Sequence, residues 1–89
     1  RDGLARLQAA FASMGLEHVP SYGNFVLVRV GDAAGVYEAL LHAGVIVRPV
    51  DNYDLPQWLR ITVGLPEENE IFLAAFARAM GKADVEAAP

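Results

Sequence analysis

The run Trp58-Leu59-Arg60-Ile61-Thr62-Val63 alternates with a period of two. Leu59, Ile61 and Val63 fall on one side, and Trp58, Arg60 and Thr62 on the other. Apolar and β-branched residues at that spacing specify a half-buried strand. The first set belongs against a hydrophobic layer. Arg60 must then emerge mid-strand on the opposite face, beside an indole and a hydroxyl. This constraint decides which side of the sheet helices can cover, and it asks what a guanidinium is for on the other side.

The remaining elements follow from similar patterns. Leu4, Leu7, Phe11 and Met14 recur at helical spacing over residues 2–14, with Asp2 as a possible cap and Gly15 at the C-terminal stop. A short extended piece follows at Leu16–Val19, and Pro20-Ser21-Tyr22-Gly23 is a turn signal. Asn24–Val30 is β-rich and nearly all apolar, as a central strand should be. Asp32 can cap a second helix over about 33–43, with Val36, Leu40 and Ala43 on one side and Gly44 ending it. Val45–Arg48 is a short strand that Pro49 stops, and residues 51–57 form a loop. Pro66 suits the first turn of a third helix, where Glu67, Glu68 and Glu70 match the positive end of its dipole. Ile71, Phe72, Ala75, Phe76, Ala79 and Met80 are expected to form its buried side, and Gly81 its end.

The order is α-β-β-α-β-β-α. A parallel crossover links 24–30 to 45–48, and the last strand, inserted between them, runs antiparallel to both. The expected class is α+β: a small mixed or antiparallel sheet with helices packed mainly on one face. Residues 1–81 are expected to form one domain and residues 82–89 a flexible tail. The chain opens on Arg1 and enters a helical pattern at once, which reads as a piece of a longer protein. A hydrophobic content of 54%, inflated by alanine, hints at a face that docks on something larger.

Charge and cysteine usage narrow the chemistry. The net charge is −4 with no basic run, so nucleic acid and anionic membranes are poor partners. There is no cysteine, which removes disulfides, thiolate catalysis and Cys-based zinc sites and fits a cytoplasmic protein. No apolar run approaches the ~18 residues of a spanning helix. His18 and His42 lack ligand partners at useful spacing, so no metal site is expected.

Arg60 needs water or an anion, because an unpaired buried charge costs on the order of several kcal/mol. Its planar fork matches a carboxylate or phosphate bidentately. Arg48 shares a side with Ile46, opposite Val45 and Val47. If the two strands pair, both guanidinium groups lie on the same open face. The competing reading is structural: a salt bridge from Arg60 to Asp51, Asp54 or Glu67, or a solvated edge. Arg29, near a strand end, is expected to be structural.

Several ordered motifs across residues 21–70 give a resemblance. They are Pro20-Ser21 with Asn24-Phe25, Gly44-Val45-Ile46-Val47-Arg48-Pro49, Tyr53 with Leu55-Pro56, and Leu59-Arg60-Ile61-Thr62-Val63-Gly64 followed by Glu67-Glu68-Asn69. The chain resembles the C-terminal small domain of the histidinol-phosphate aminotransferases, fold-type I enzymes that use pyridoxal phosphate. The resemblance implies that Arg60 holds the α-carboxylate of glutamate and that Arg48 helps with the phosphate or second carboxylate of the alternating substrates. Asn24 and Tyr53 match motif positions near that site. Asp54 stands where the family commonly has glycine.

The resemblance also implies what is missing. Transamination needs a lysine that holds the cofactor, and the only lysine is Lys82, beyond the last helix. The family keeps that lysine in a large cofactor-binding domain of the same chain, and the whole enzyme is a homodimer. No cofactor is expected on this piece alone, and alone it is expected to be inactive. Trp58 and Tyr53 could contact a ligand but fit packing better. The alternative function is an ACT-like module that binds an amino acid for regulation, which requires a further strand after the third helix and does not explain Arg60.

Overall fold

A computed structural model describes residues 2–20, 23–50 and 56–81. Helix α1 spans Asp2–Ser13, strand β1 His18–Pro20, strand β2 Phe25–Arg29 and helix α2 Ala33–His42. Strand β3 is Arg48–Pro49, strand β4 Trp58–Thr62 and helix α3 Pro66–Ala79. The strand order across the sheet is β1-β2-β4-β3, and every neighbouring pair is antiparallel. Strands β2 and β3 are therefore parallel to each other with β4 between them, as the alternation and crossover argument requires.

The helix ends explain where the outer strands begin. Gly15 takes φ 75° and Leu16 N–H donates to the Phe11 carbonyl at 2.9 Å. Gly44 takes φ 82° and Val45 N–H donates to the Leu40 carbonyl at 2.8 Å. Both are six-to-one closures around a left-handed residue that glycine adopts without strain. Each closure consumes the residue just after the glycine. Pairing then starts later than the pattern suggests, at His18 rather than Leu16 and at Arg48 rather than Val45. Pro20 and Pro49 each end a strand at a sheet edge, where a missing N–H breaks no ladder.

The covered face of the sheet carries Val26, Val28, Leu59, Ile61 and Val63, all buried. Against it lie Leu7 and Phe11 of α1, Val36 and Leu40 of α2, and Phe72, Leu73 and Phe76 of α3. Phe11 and Phe76 meet edge-on with centroids 5.4 Å apart, and Phe72 stacks on Phe76 at 5.1 Å. Asp32 accepts from Gly35 N–H at 3.1 Å and caps α2. At the start of α3, Glu68 accepts from Leu65 N–H at 2.8 Å.

The buried side of α3 keeps Phe72 and Phe76 from the expected set, with Ala75, Ala79 and Met80 partly buried against the core, but gains Asn69 and Leu73 and loses Ile71. The buried residues are Asn69, Phe72, Leu73 and Phe76, an i, i+3, i+4, i+7 stripe, while Ile71 is 63% exposed. The apolar stretch Ile71–Phe76 is compatible with two rotational settings. The polar Asn69 hides the correct one by occupying a core position. On α2, Val36 and Leu40 are buried, but Ala43 lies past the helix end and is exposed.

Candidate functional site

Among the described residues no helix lies on the other face of the sheet. Alternation places Phe25, Leu27 and Arg29 of β2 there, with Trp58, Arg60 and Thr62 of β4 and Arg48 of β3. The register sets the neighbours: Leu27 opposite Arg60, Phe25 opposite Thr62, and Arg29 opposite Trp58. Arg48 is directly opposite Arg60. Like charges in that relation repel, so the sheet gains nothing from the pair itself.

The two arginines differ in setting. Arg48 is exposed, and Arg60 is half-buried. The Nε of Arg60 is shut off from solvent and has no hydrogen-bond partner among the described residues. A buried donor left unmade costs about 1–3 kcal/mol. The Cζ of the same guanidinium lies 4.3 Å from the centre of the Phe25 ring. A desolvated cation over an aromatic face recovers roughly 1–2 kcal/mol.

Two other arginines, Arg29 and Arg6, show what satisfied ones look like here. Arg29 donates to Gln57 at 2.9 Å and reaches Glu17 at 3.4 Å, the structural role expected of it. Arg6 of α1 makes a bidentate pair with Glu70 of α3 at 2.7 and 2.9 Å. The Arg6 hydrogen bond holds the Glu70 carboxyl below its ordinary range. Among the described residues neither Arg48 nor Arg60 has a carboxylate partner. The Glu67 salt bridge considered for Arg60 is not formed.

Asn24 directly precedes β2. It lines a cleft of about 490 Å³ with Asp2, Gly3, Arg6 and Asn69, between the starts of α1 and α3. Its carbonyl accepts from Val63 N–H at 2.7 Å. Tyr53, Asp51, Asp54 and Lys82 lie outside the described residues. A second cleft, of about 350 Å³, runs between Val45, Ile46 and Ile71. Neither cleft is lined by the guanidinium pair. Among the described residues no group of three or more His, Asp or Glu could hold a metal ion, and no helix is long and apolar enough to cross a membrane.

Two residues carry more than the sequence reading gave them. Asn69, only 4% exposed, accepts from Gly64 N–H at 2.8 Å and donates to the Gly64 carbonyl at 3.1 Å. It thereby pins the turn that leaves β4. A Cβ on Gly3 would lie 2.7 Å from the Asn69 Nδ2, so α1 packs closely on the same side chain. Phe25 holds the Arg60 guanidinium. Its contact could be read only from the β2–β4 register, which places it diagonally from Arg60.

An α+β unit with an uncovered, arginine-bearing face is thus the frame in which the comparisons with known proteins fall. The model of the aminotransferase class I and II family matches residues 2–76, and the chain belongs to that family. It is 61% identical over 89 residues to histidinol-phosphate aminotransferase 2 of Ralstonia nicotianae, covering 96% of this chain and 24% of the relative. It is 60% identical over 84 residues to histidinol-phosphate aminotransferase 1 of Cupriavidus pinatubonensis, covering 90% and 22%. A crystal structure of a candidate aminotransferase from Burkholderia pseudomallei superposes with a TM-score of 0.74 at 32% identity, covering 85% of this chain and 24% of that one. The chain therefore spans about a quarter of the length of these relatives. Nothing in these matches supports the ACT-like alternative.

Proposed function

We propose that this chain is the C-terminal small domain, residues 1–81, of a pyridoxal-phosphate-dependent aminotransferase, and that its open face clamps the anionic substrate. The reaction would move an amino group between histidinol phosphate and 2-oxoglutarate, giving imidazole-acetol phosphate and glutamate, as a cytoplasmic step of histidine biosynthesis. One observation carries this reading: Arg48 and Arg60 face each other across β3 and β4 with no described carboxylate on either. Such a pair is repulsive until an anion bridges or neutralises it. Arg60, held mid-strand, takes the α-carboxylate of glutamate. Arg48, exposed beside it, serves the second carboxylate or the phosphate of the alternating substrate. Tyr53 and Asn24 keep their motif-based assignment to the substrate site, and Asn24 also lines the cleft between the starts of α1 and α3.

Pyridoxal phosphate, when bound, supplies the electron sink that makes transamination possible. It needs a lysine, and the described residues contain none, so they do not fit the cofactor. The anchor and the phosphate cradle are assigned to a large domain of the same polypeptide, and the assembled enzyme to a homodimer. This chain by itself is then inactive.

In the complete enzyme, Arg60→Lys removes the fork but keeps the charge. The KM for glutamate should rise at least tenfold with cofactor binding intact, a loss of about 1.4 kcal/mol or more. Steady-state kinetics with glutamate as the varied substrate decides it, and an unchanged KM removes the assignment of Arg60.

A further inference from the structure

We propose that Phe25 is a positioning residue for the clamp: its ring holds the Arg60 guanidinium so that a carboxylate is engaged end-on, through Nη1 and Nη2. This inference rests on the reading of Arg60 as the substrate arginine. The geometry comes from the β2–β4 register. Arg60 pairs with Leu27, and Phe25 lies two residues away on the same face. That diagonal is within reach of aromatic and long side chains, and the Cζ of Arg60 stands 4.3 Å from the ring centre.

An arginine can meet a carboxylate through its two terminal nitrogens, or side-on through Nε and one of them. Here Nε is shut off from solvent with no partner among the described residues, so the side-on edge is closed. The terminal nitrogens are the part of the half-buried side chain left for an anion. Free arginine side chains lose much rotamer freedom when they bind. A guanidinium already held on an aromatic face loses less, and its attraction to the ring survives when the anion arrives. Phe25 thus serves both affinity and the choice of a planar, two-oxygen ligand over a rounder anion.

The test uses the complete enzyme and two measurements: the KM for glutamate, and the dissociation constant of glutarate by calorimetry. Glutarate carries both carboxylates of glutamate and no amine to react. Phe25→Leu keeps apolar volume and removes the π face, and should weaken glutarate binding and raise the KM about tenfold, with kcat changed less than twofold. Phe25→Tyr keeps the face and should rescue both. In an Arg60→Lys background, Phe25→Leu should have at most a twofold further effect, because the two residues act as one unit. Should Phe25→Leu fail to fold, Phe25→Met replaces it in every arm. If leucine and tyrosine weaken binding equally, or the leucine effect persists undiminished beside Arg60→Lys, Phe25 is a packing residue and the inference falls. If Arg60→Lys itself changes nothing, the proposed function fails first, which separates the two outcomes.

Discussion

The two faces of this sheet are built on opposite rules. On the helix face every large side chain is matched: Phe11, Phe72 and Phe76 fill one another's edges, and the buried Asn69 spends both ends of its amide on Gly64. On the open face Arg29 is matched by Gln57 and Glu17, but at Arg48 and Arg60 the matching stops. Two guanidinium groups oppose each other, and one keeps a buried Nε with nothing among the described residues to donate to. The one strand β4 serves both faces, Leu59 and Ile61 inward, Arg60 outward. Local departures from complete pairing are tolerated when the rest of a fold over-determines them, and they concentrate where something binds. The helix face holds the structure, and the open face uses that stability to keep an unsatisfied cation in place.

The sharpest way to break this contrast is a matched cut on each face. Phe76→Ala removes a fully buried ring from the aromatic cluster and should cost about 3–5 kcal/mol of unfolding free energy. Arg60→Leu, on the open face, removes an unpaired charge and should cost less than about 1 kcal/mol, or stabilise. Urea unfolding of both variants reads the difference. An Arg60→Leu loss comparable with that of Phe76→Ala means the guanidinium belongs to the folding machinery, and the division of labour between the faces is wrong.

Asn69 gives the next largest effect and tests the boundary between the two faces. Asn69→Ala leaves the Gly64 N–H and carbonyl without their partners and should cost about 1–3 kcal/mol. Asn69→Asp keeps an acceptor for Gly64 N–H and should recover part of that. If alanine and aspartate are equally stable, the hydrogen bonds are incidental and Asn69 only fills space.

How much of this was legible in the sequence depends on the range of the cause. Strand alternation is local, so the facing of Leu59, Ile61 and Arg60 followed from it directly. The common side of Arg48 and Arg60 also followed, given that β3 and β4 pair. Helix ends at Gly15, Gly44 and Gly81 were local as well. The rotation of α3 was not. Ile71 and Leu73 are both apolar, and only packing against the sheet selects Leu73. Asn69 and Phe25 escaped for a related reason. Their roles depend on a turn and on a register that join residues distant in sequence, and their residue types have common bland explanations. Asn24 was grouped with the arginines on motif alone; its place in the lining of the cleft between α1 and α3 follows from the β2–β4 register, which sets it beside Val63.

The smallest effect separates a satisfied arginine from an unsatisfied one by pH. The Glu70 carboxyl is held below its ordinary value of 4.5, first by the hydrogen bond from Arg6. Its folded value is therefore lower than its unfolded value. The stabilisation is fully present above the unfolded value and is lost as pH falls through the folded one. Unfolding measured from pH 7 to pH 3 should show a small advantage of the native chain over Glu70→Gln. That advantage should stay constant above about pH 5.5 and shrink below 4.5. The pair is exposed at the surface, so added salt should shrink it as well. Arg60 has no carboxylate of its own among the described residues, so Arg60→Leu should show no such acid limb. An acid-dependent loss in that variant would reveal a carboxylate on Arg60, and the contrast between the two faces would collapse into two ordinary salt bridges.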